Sequence, residues 1–186
     1  MTKESFLEPQ LLKTTDENES LNVLQAVFPS FWETQEGRQI LQQDREDFPY
    51  PWPENYWKQL STEHLNGSHL YYTLSENEVS SSQDVQAWAL FDFASQYFSH
   101  LQKIYVNSLS RGQGLGTRFL KDCLDCCQHQ IGPRDGGCVE LEVATDNTAA
   151  VCLYNQLGFE IIRCEKGFYS DGRDAFRMRC GVDLSA

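Results

Sequence analysis

The chain has 186 residues, with 15 Lys and Arg against 27 Asp and Glu, for a formal charge of −12 at pH 7. That length suits a single domain, 1–186, with a substantial core, and an acidic chain without a Lys/Arg cluster excludes nucleic acid as a partner while favouring a cationic one. Neither an apolar run of membrane-spanning length nor a signal peptide is present, and seven cysteines, an odd number, suit reduced thiols, so the expectation is a soluble cytoplasmic protein without a membrane partner.

Leu21, Leu24, Val27 and Phe28 recur at helical spacing behind Asp16 and Glu19, which predicts a first helix near residues 17–28. A more polar helix follows over 35–45. The alternate prolines of Pro49, Pro51 and Pro53 then force a loop, because each fixes φ and removes an N–H donor. Helix resumes over 54–65 and stops at Asn66-Gly67. The aromatics around the proline loop, Phe48, Tyr50, Trp52, Tyr56 and Trp57, read either as a wall for a substrate or as anchors for a long loop. Three strands form a meander over 69–74, 85–93 and 100–107, separated by the serine-rich link 75–84 and a short turn at 94–99.

The third of these strands runs into Arg111-Gly112-Gln113-Gly114-Leu115-Gly116, and a helix pattern follows over 117–131. Three glycines in five residues let the backbone approach a ligand closely, and the helix start presents free N–H groups at the positive end of its dipole, so the loop suits an anion. A nucleotide-triphosphate loop is excluded, since no Lys-Ser or Lys-Thr follows. A dinucleotide fingerprint fails at Thr117, where its third glycine belongs. Cys123, Cys126, Cys127 and His129 lie within the helix and share a face only in part; with no second ligand pair, they read as small core residues and not as a metal site. An alternating strand at 139–143 precedes a helix from Asn147 to Gly158, and two more strands, 159–164 and 175–180, flank a turn at 170–174. There is no internal repeat.

Arg111, Gly114 and Gly116, with Val106 five positions before the arginine, match R-x-x-G-x-G, and Asn147, Ala150, Tyr154, Gly158 and Phe159 match N-x-x-A-x-x-x-Y-x-x-x-G-F. Over residues 84–180 the chain resembles the GNAT N-acetyltransferase superfamily. The resemblance implies an α+β fold: a mixed, mostly antiparallel central sheet flanked by helices, in which the strands at 102–107 and 139–144 are parallel neighbours that splay apart to receive the pantetheine arm of acyl-CoA. The half before residue 84 is then expected to be helical and to face the acceptor.

By the same resemblance, acetyl-CoA is the co-substrate and no metal is needed. The backbone of Gly112, Gln113, Gly114, Leu115, Gly116 and Thr117 would hold the pyrophosphate with Arg111 adding charge, and Ile104, Tyr105 and Val106 would offer their strand edge to pantetheine. Asn147 would cap its helix or bond the pantetheine arm. Tyr154, seven residues on and so on the same helix side, would protonate the leaving thiolate. His100, six residues before Val106, is the first candidate for the base that frees the amine, and Glu142 on the facing strand the second. The implied activity is acetyl transfer to a primary amine of a small molecule or peptide by direct attack; the alternative is a binding module that holds acyl-CoA without turnover. A homodimer is left open.

Overall fold

The computed structural model describes residues 10–12, 23–26, 30–63, 68–74, 84–93, 98–131 and 137–181. Strands β1 (Gln10–Leu12) and β2 (Val23–Gln25) precede helices α1 (Gln35–Asp47) and α2 (Glu54–Glu63). The meander β3 (Ser68–Leu74), β4 (Val85–Asp92) and β5 (Phe98–Val106) follows, then α3 (Leu115–Ile131), β6 (Cys138–Ala144), α4 (Thr148–Gln156), β7 (Glu160–Glu165) and β8 (Ala175–Gly181). All eight strands lie in one sheet, in the order β1-β2-β3-β4-β5-β6-β8-β7. Every neighbouring pair is antiparallel except β5–β6.

Each face of the sheet carries its own core. On one, Phe119, Leu120, Cys123 and Cys127 of α3 and Tyr154 of α4 pack on Ala87, Ala89, Phe91, Leu141 and Val143. On the other, Trp32, Ile40 and Trp57 cover Trp88, Leu90, Tyr72 and Tyr105. The rings there meet at close range, with Trp57 and Trp88 centroids 5.6 Å apart and Trp32 and Trp57 5.5 Å apart.

The expected helix over 17–28 is corrected: residues 17–22 lie outside the described residues, and Val23–Gln25 is strand β2, paired with β3 through Leu24↔Tyr72. Val23 enters the α3 core while Leu24 packs on the aromatic core of the other face, the two-residue alternation of a strand. At Leu24 pairing with β3 overrides the helical spacing, and Leu21, Val27 and Phe28 lie outside the described residues. The early half is therefore not purely helical, since β1, β2 and β3 extend the central sheet. The other expected elements appear within a few residues of their bounds; β5 begins at Phe98, inside the expected turn, whose residues 94–97 lie outside the described residues.

Helix α1 starts on Thr34, whose hydroxyl accepts from Gly37 N–H at 3.1 Å and donates to the Phe31 carbonyl at 2.7 Å. That closure brings the preceding turn against Gly37, where a Cβ would stand 2.2 Å from the Phe31 carbonyl oxygen. Helix propensity alone favours Gly→Ala by up to about 1 kcal/mol, but overpacking against backbone costs about 1–3 kcal/mol. Gly37→Ala is therefore expected to lower stability in urea unfolding; a neutral or stabilising change would contradict this packing.

Candidate active site

Parallel pairing of β5 with β6 covers only Phe98↔Cys138, Ser99↔Val139 and His100↔Glu140. Beyond His100 the strands part, and the β5 edge facing β6 has no strand partner from Leu101 to Val106. Ile104 and Val106 turn their side chains toward the α3 core. Tyr105 points the other way, stacks on Trp88 at 5.8 Å and donates to Asp47 at 2.7 Å. Burial, then that hydrogen bond, push its phenol up to about 12. Among residues 104–106, Tyr105 can thus offer a ligand in the gap only its backbone.

The end of β5 leads into a tight turn, Ser108–Ser110, capped by the Asn107 side chain, which accepts from Leu109 N–H at 3.0 Å. Arg111 folds back and donates through Nε to the Val106 carbonyl at 2.9 Å. Gly112 and Gly114 take φ of 74° and 78°, left-handed values that favour glycine, and the space where either Cβ would stand is open. At Gly116 a Cβ would lie 3.3 Å from Val106 Cγ2 and 3.8 Å from Leu153 Cδ2, so this glycine lets α3 seat against the strand and α4. The first helical bond runs from Arg118 N–H to the Gly114 carbonyl at 3.1 Å. The amides just before it, at the N-terminus of a 17-residue helix, lie at the positive end of its dipole, where an anion would be favoured.

Asn147 begins α4 and caps it, accepting from Ala150 N–H at 3.2 Å, while Asp146 instead meets Arg173 at 3.3 Å. Tyr154 lies on the buried side of α4 with its ring 5.6 Å from Phe159. Burial, and secondarily Tyr169, raise its pKa well above the ordinary phenol value, so it stays protonated at neutral pH. The helix closes as expected, with Gly158 at φ 80° and Phe159 N–H bonded to the Tyr154 carbonyl at 3.0 Å.

The two candidate bases meet. His100 Nε2 and Glu142 Oε2 are 2.7 Å apart, Glu142 standing two residues past Glu140, the last partner of β5 on β6. Leu141 and Val143 face the α3 core, so Glu142 projects from the opposite face, where Arg177 of β8 approaches its other oxygen at 2.6 Å. Burial pushes the Glu142 carboxyl up, but the hydrogen bond and charge of His100 together with Arg177 outweigh it and hold its pKa below the usual value. Arg177 also reaches Glu165 at 3.1 Å, and Arg179 donates through Nε to Glu140 at 2.8 Å.

Two loops close over this charged face. Tyr50 of the proline loop stacks on Tyr169, between β7 and β8, at 5.8 Å and 14°, and the Arg173 guanidinium lies 5.9 and 5.3 Å from the two rings. A hydrogen bond from Tyr50, then the donors of Arg173, hold Asp171 down at about 2. The proline-loop aromatics divide: Trp57 is fully buried, Trp52 packs on it and Phe48 on Trp88, the exposed Tyr56 meets Trp52 edge-on, and Tyr50 reaches across to Tyr169.

Cys123, Cys126 and Cys127 are core residues whose thiols burial pushes up; the side chain of His129 lies outside the described residues, and no metal-binding cluster occurs among those described. Among the described residues no helix is long and apolar enough to cross a membrane. Sequence reading missed Tyr169, Arg173 and Arg177, and with them Lys103 and Asp44, which pair in the buried layer beneath the proline loop. Alternation gave a usable signal for Arg177, which lies between Phe176 and Met178 on a strand flanked by core residues.

The chain belongs to the acetyltransferase (GNAT) family, whose pattern matches residues 37–159 and so reaches back into α1, beyond the 84–180 resemblance. It is similar to N-alpha-acetyltransferase RimI of Mycobacterium tuberculosis, 39% identical over 77 residues, or 41% of this chain, and the chain spans only 44% of that relative's length. It is also similar to an N-alpha-acetyltransferase of Saccharolobus solfataricus, 28% identical over 133 residues, covering 68% of this chain and 78% of the relative. Among solved structures, Arabidopsis thaliana NAA60 in complex with acetyl-CoA matches with a TM-score of 0.69 at 14% identity, covering 86% of this chain and 98% of that one, a likeness of fold.

If the loop is the cradle, acetyl-CoA at a hundred times its dissociation constant adds about 2.7 kcal/mol to the folded state, and ATP or NAD adds little. Gly114→Val, which forces a β-branched residue to positive φ, should lose CoA affinity by calorimetry while the fold survives. A folded Gly114→Val protein with unchanged affinity places the cradle elsewhere.

Proposed function

We propose that the protein transfers the acetyl group of acetyl-CoA to the α-amine of a peptide or protein. The fit is testable on this chain's own features: a strand edge without a strand partner from Leu101 to Val106 suits the amides of pantetheine, and left-handed glycines before a helix start suit its pyrophosphate. The thioester supplies an acyl group activated for attack by nitrogen.

The observation that supports the reading is the placement of the candidate acid and the candidate bases on the two faces of the sheet. Tyr154 lies on the α4 side, packed in the α3 core, and the His100–Glu142 pair lies on the other face. His100, oriented by Glu142, takes a proton from the incoming ammonium, since only the neutral amine attacks. A backbone N–H near Val106 polarises the carbonyl. As nitrogen bonds to carbon and the carbon–sulfur bond breaks, Tyr154 gives its proton to the sulfur. The acylated nitrogen loses its second proton to solvent to leave the amide, and the proton held by His100 passes through solvent to Tyr154, so each turnover releases one net proton and forms no covalent enzyme intermediate.

The acceptor would enter from the Tyr50–Tyr169 side. The overall charge of −12 favours a cationic amine; Asp146, Asp171 and Glu165 are already paired with Arg173 or Arg177. The names of the relatives, N-alpha-acetyltransferases, support an α-amine over a side-chain amine.

Peptides of varied first residue, free lysine and a polyamine, each incubated with acetyl-CoA, test this by thiol release and mass spectrometry. The expected product is acetylated at the peptide α-amine; transfer confined to polyamine or lysine side chain, or CoA binding without thiol release, would contradict it.

Tyr154→Phe removes the proton and keeps the ring. General acid catalysis is worth about 10²- to 10⁴-fold, so turnover should fall at least roughly tenfold, with water as substitute donor, while the CoA dissociation constant stays within about threefold. Wild-type turnover would demote Tyr154 to a core aromatic.

A further inference from the structure

Strict alternation along β5 would put Lys103 on the same face as Leu101, inside the α3 core. It is not there. The β4–β5 register shifts so that Leu90 faces Lys103 while Phe91 faces Leu101, and Gln102 is the extra residue. This bulge turns Lys103 and Tyr105 onto the opposite, aromatic face, the re-aiming of a side chain for which bulges beside active sites are known.

There the Lys103 ammonium pairs with Asp44 of α1, and both side chains are almost wholly buried, at 6% and 1% exposure. Its nitrogen lies 4.4 Å from the Phe48 ring centroid, 4.6 Å from Trp52 and 5.8 Å from Trp57, and 3.4 Å from the Tyr50 carbonyl oxygen. The second Asp44 oxygen accepts from the Trp52 backbone N–H at 2.8 Å and the Trp57 indole N–H at 2.9 Å. Burial lowers the Lys103 pKa, against which the hydrogen bond and charge of Asp44 act.

A buried ion pair is weak as a source of stability, because desolvation opposes the attraction and apolar residues of the same size often serve as well. What it supplies is direction. Every group that Lys103 and Asp44 hold belongs to the proline loop or the start of α2, and Lys103 itself stands on the stretch of β5 whose far edge is free.

We propose that Lys103 and Asp44 are positioning residues that set the proline loop, and with it Tyr50, at a fixed distance from the thioester, and so govern acceptor affinity without touching the acceptor. This rests on the reading above that the Tyr50–Tyr169 side receives the amine. The cation sits on the acyl-CoA strand and the anion on the helix that feeds the acceptor loop, so the pair couples the two halves of the site in one rigid contact.

Lys103→Met is the test, since it cuts the tie from β5 while Asp44 keeps its two N–H donors. The KM for the peptide acceptor should rise about tenfold or more, with kcat and the CoA dissociation constant each within about threefold. Hydrogen exchange at the Trp52 amide should quicken at the same time. If Lys103→Met does not fold, Lys103→Met combined with Asp44→Asn removes both charges and is expected to show the same split. An unchanged acceptor KM with an unchanged Trp52 exchange rate, in whichever variant folds, overturns the proposal, as does a fall in kcat alone. Should the wild-type protein acetylate no peptide, the functional reading fails by itself, and the Trp52 exchange rate then decides the tether: faster in the variant supports it, unchanged overturns it.

Discussion

The parting of β5 from β6 after His100↔Glu140 is the constraint from which the rest of the site follows. Two parallel strands that stay paired leave no free edge; these two leave the β5 edge open from Leu101 to Val106 in the middle of an eight-stranded sheet. Backbone N–H and C=O groups without a strand partner inside a sheet are costly unless something bonds them, and the function proposed above gives the gap to an extended ligand rich in amides. The flanking pieces agree with that use. Gly116 lets α3 approach Val106, the left-handed Gly112 and Gly114 turn the chain toward the helix start, and Asn147 begins α4 beyond the end of β6.

In the proposed mechanism the candidate acid and base stand on opposite faces of the sheet. Tyr154 is kept neutral by burial on the α3–α4 side, and Glu142 is kept charged by His100 and Arg177 on the other. Opposed environments that separate the protonation states of two groups are what a concerted acid and base require. The Glu142 contribution has a definite sign: its folded pKa is depressed, so the stability it adds is complete above the ordinary carboxylate pKa and is lost as pH falls through the lower folded value.

Much of this was legible in the chain because local signals and tertiary structure agree. The glycine run after an apolar strand, the Asn147-to-Phe159 pattern and the alternation at 139–143 each encode a backbone conformation that the fold then uses, and the base candidates His100 and Glu142 proved to be partners. What was not legible depends on register and on contacts distant in sequence. Residues 21–28 carry helical spacing, yet Val23–Gln25 joins the sheet, because β3 offers Tyr71 and Tyr72 as pairing partners. The bulge at Gln102 leaves no mark that a single sequence reveals, so Lys103 reads as an ordinary strand residue until its partner Asp44, 59 positions away, is seen. Tyr169 likewise shows its place only when Tyr50 is found stacked upon it.

The account turns on one ligand engaging the open β5 edge and the start of α3 together. Hydrogen exchange followed residue by residue, with and without acetyl-CoA, measures that directly. The account predicts slower exchange at amides within Leu101 to Val106 and at Leu115, Gly116 and Thr117, with β3 and β4 unchanged. Slowing confined to the proline loop or to β7, with the β5 edge and the α3 start unaffected, would contradict it.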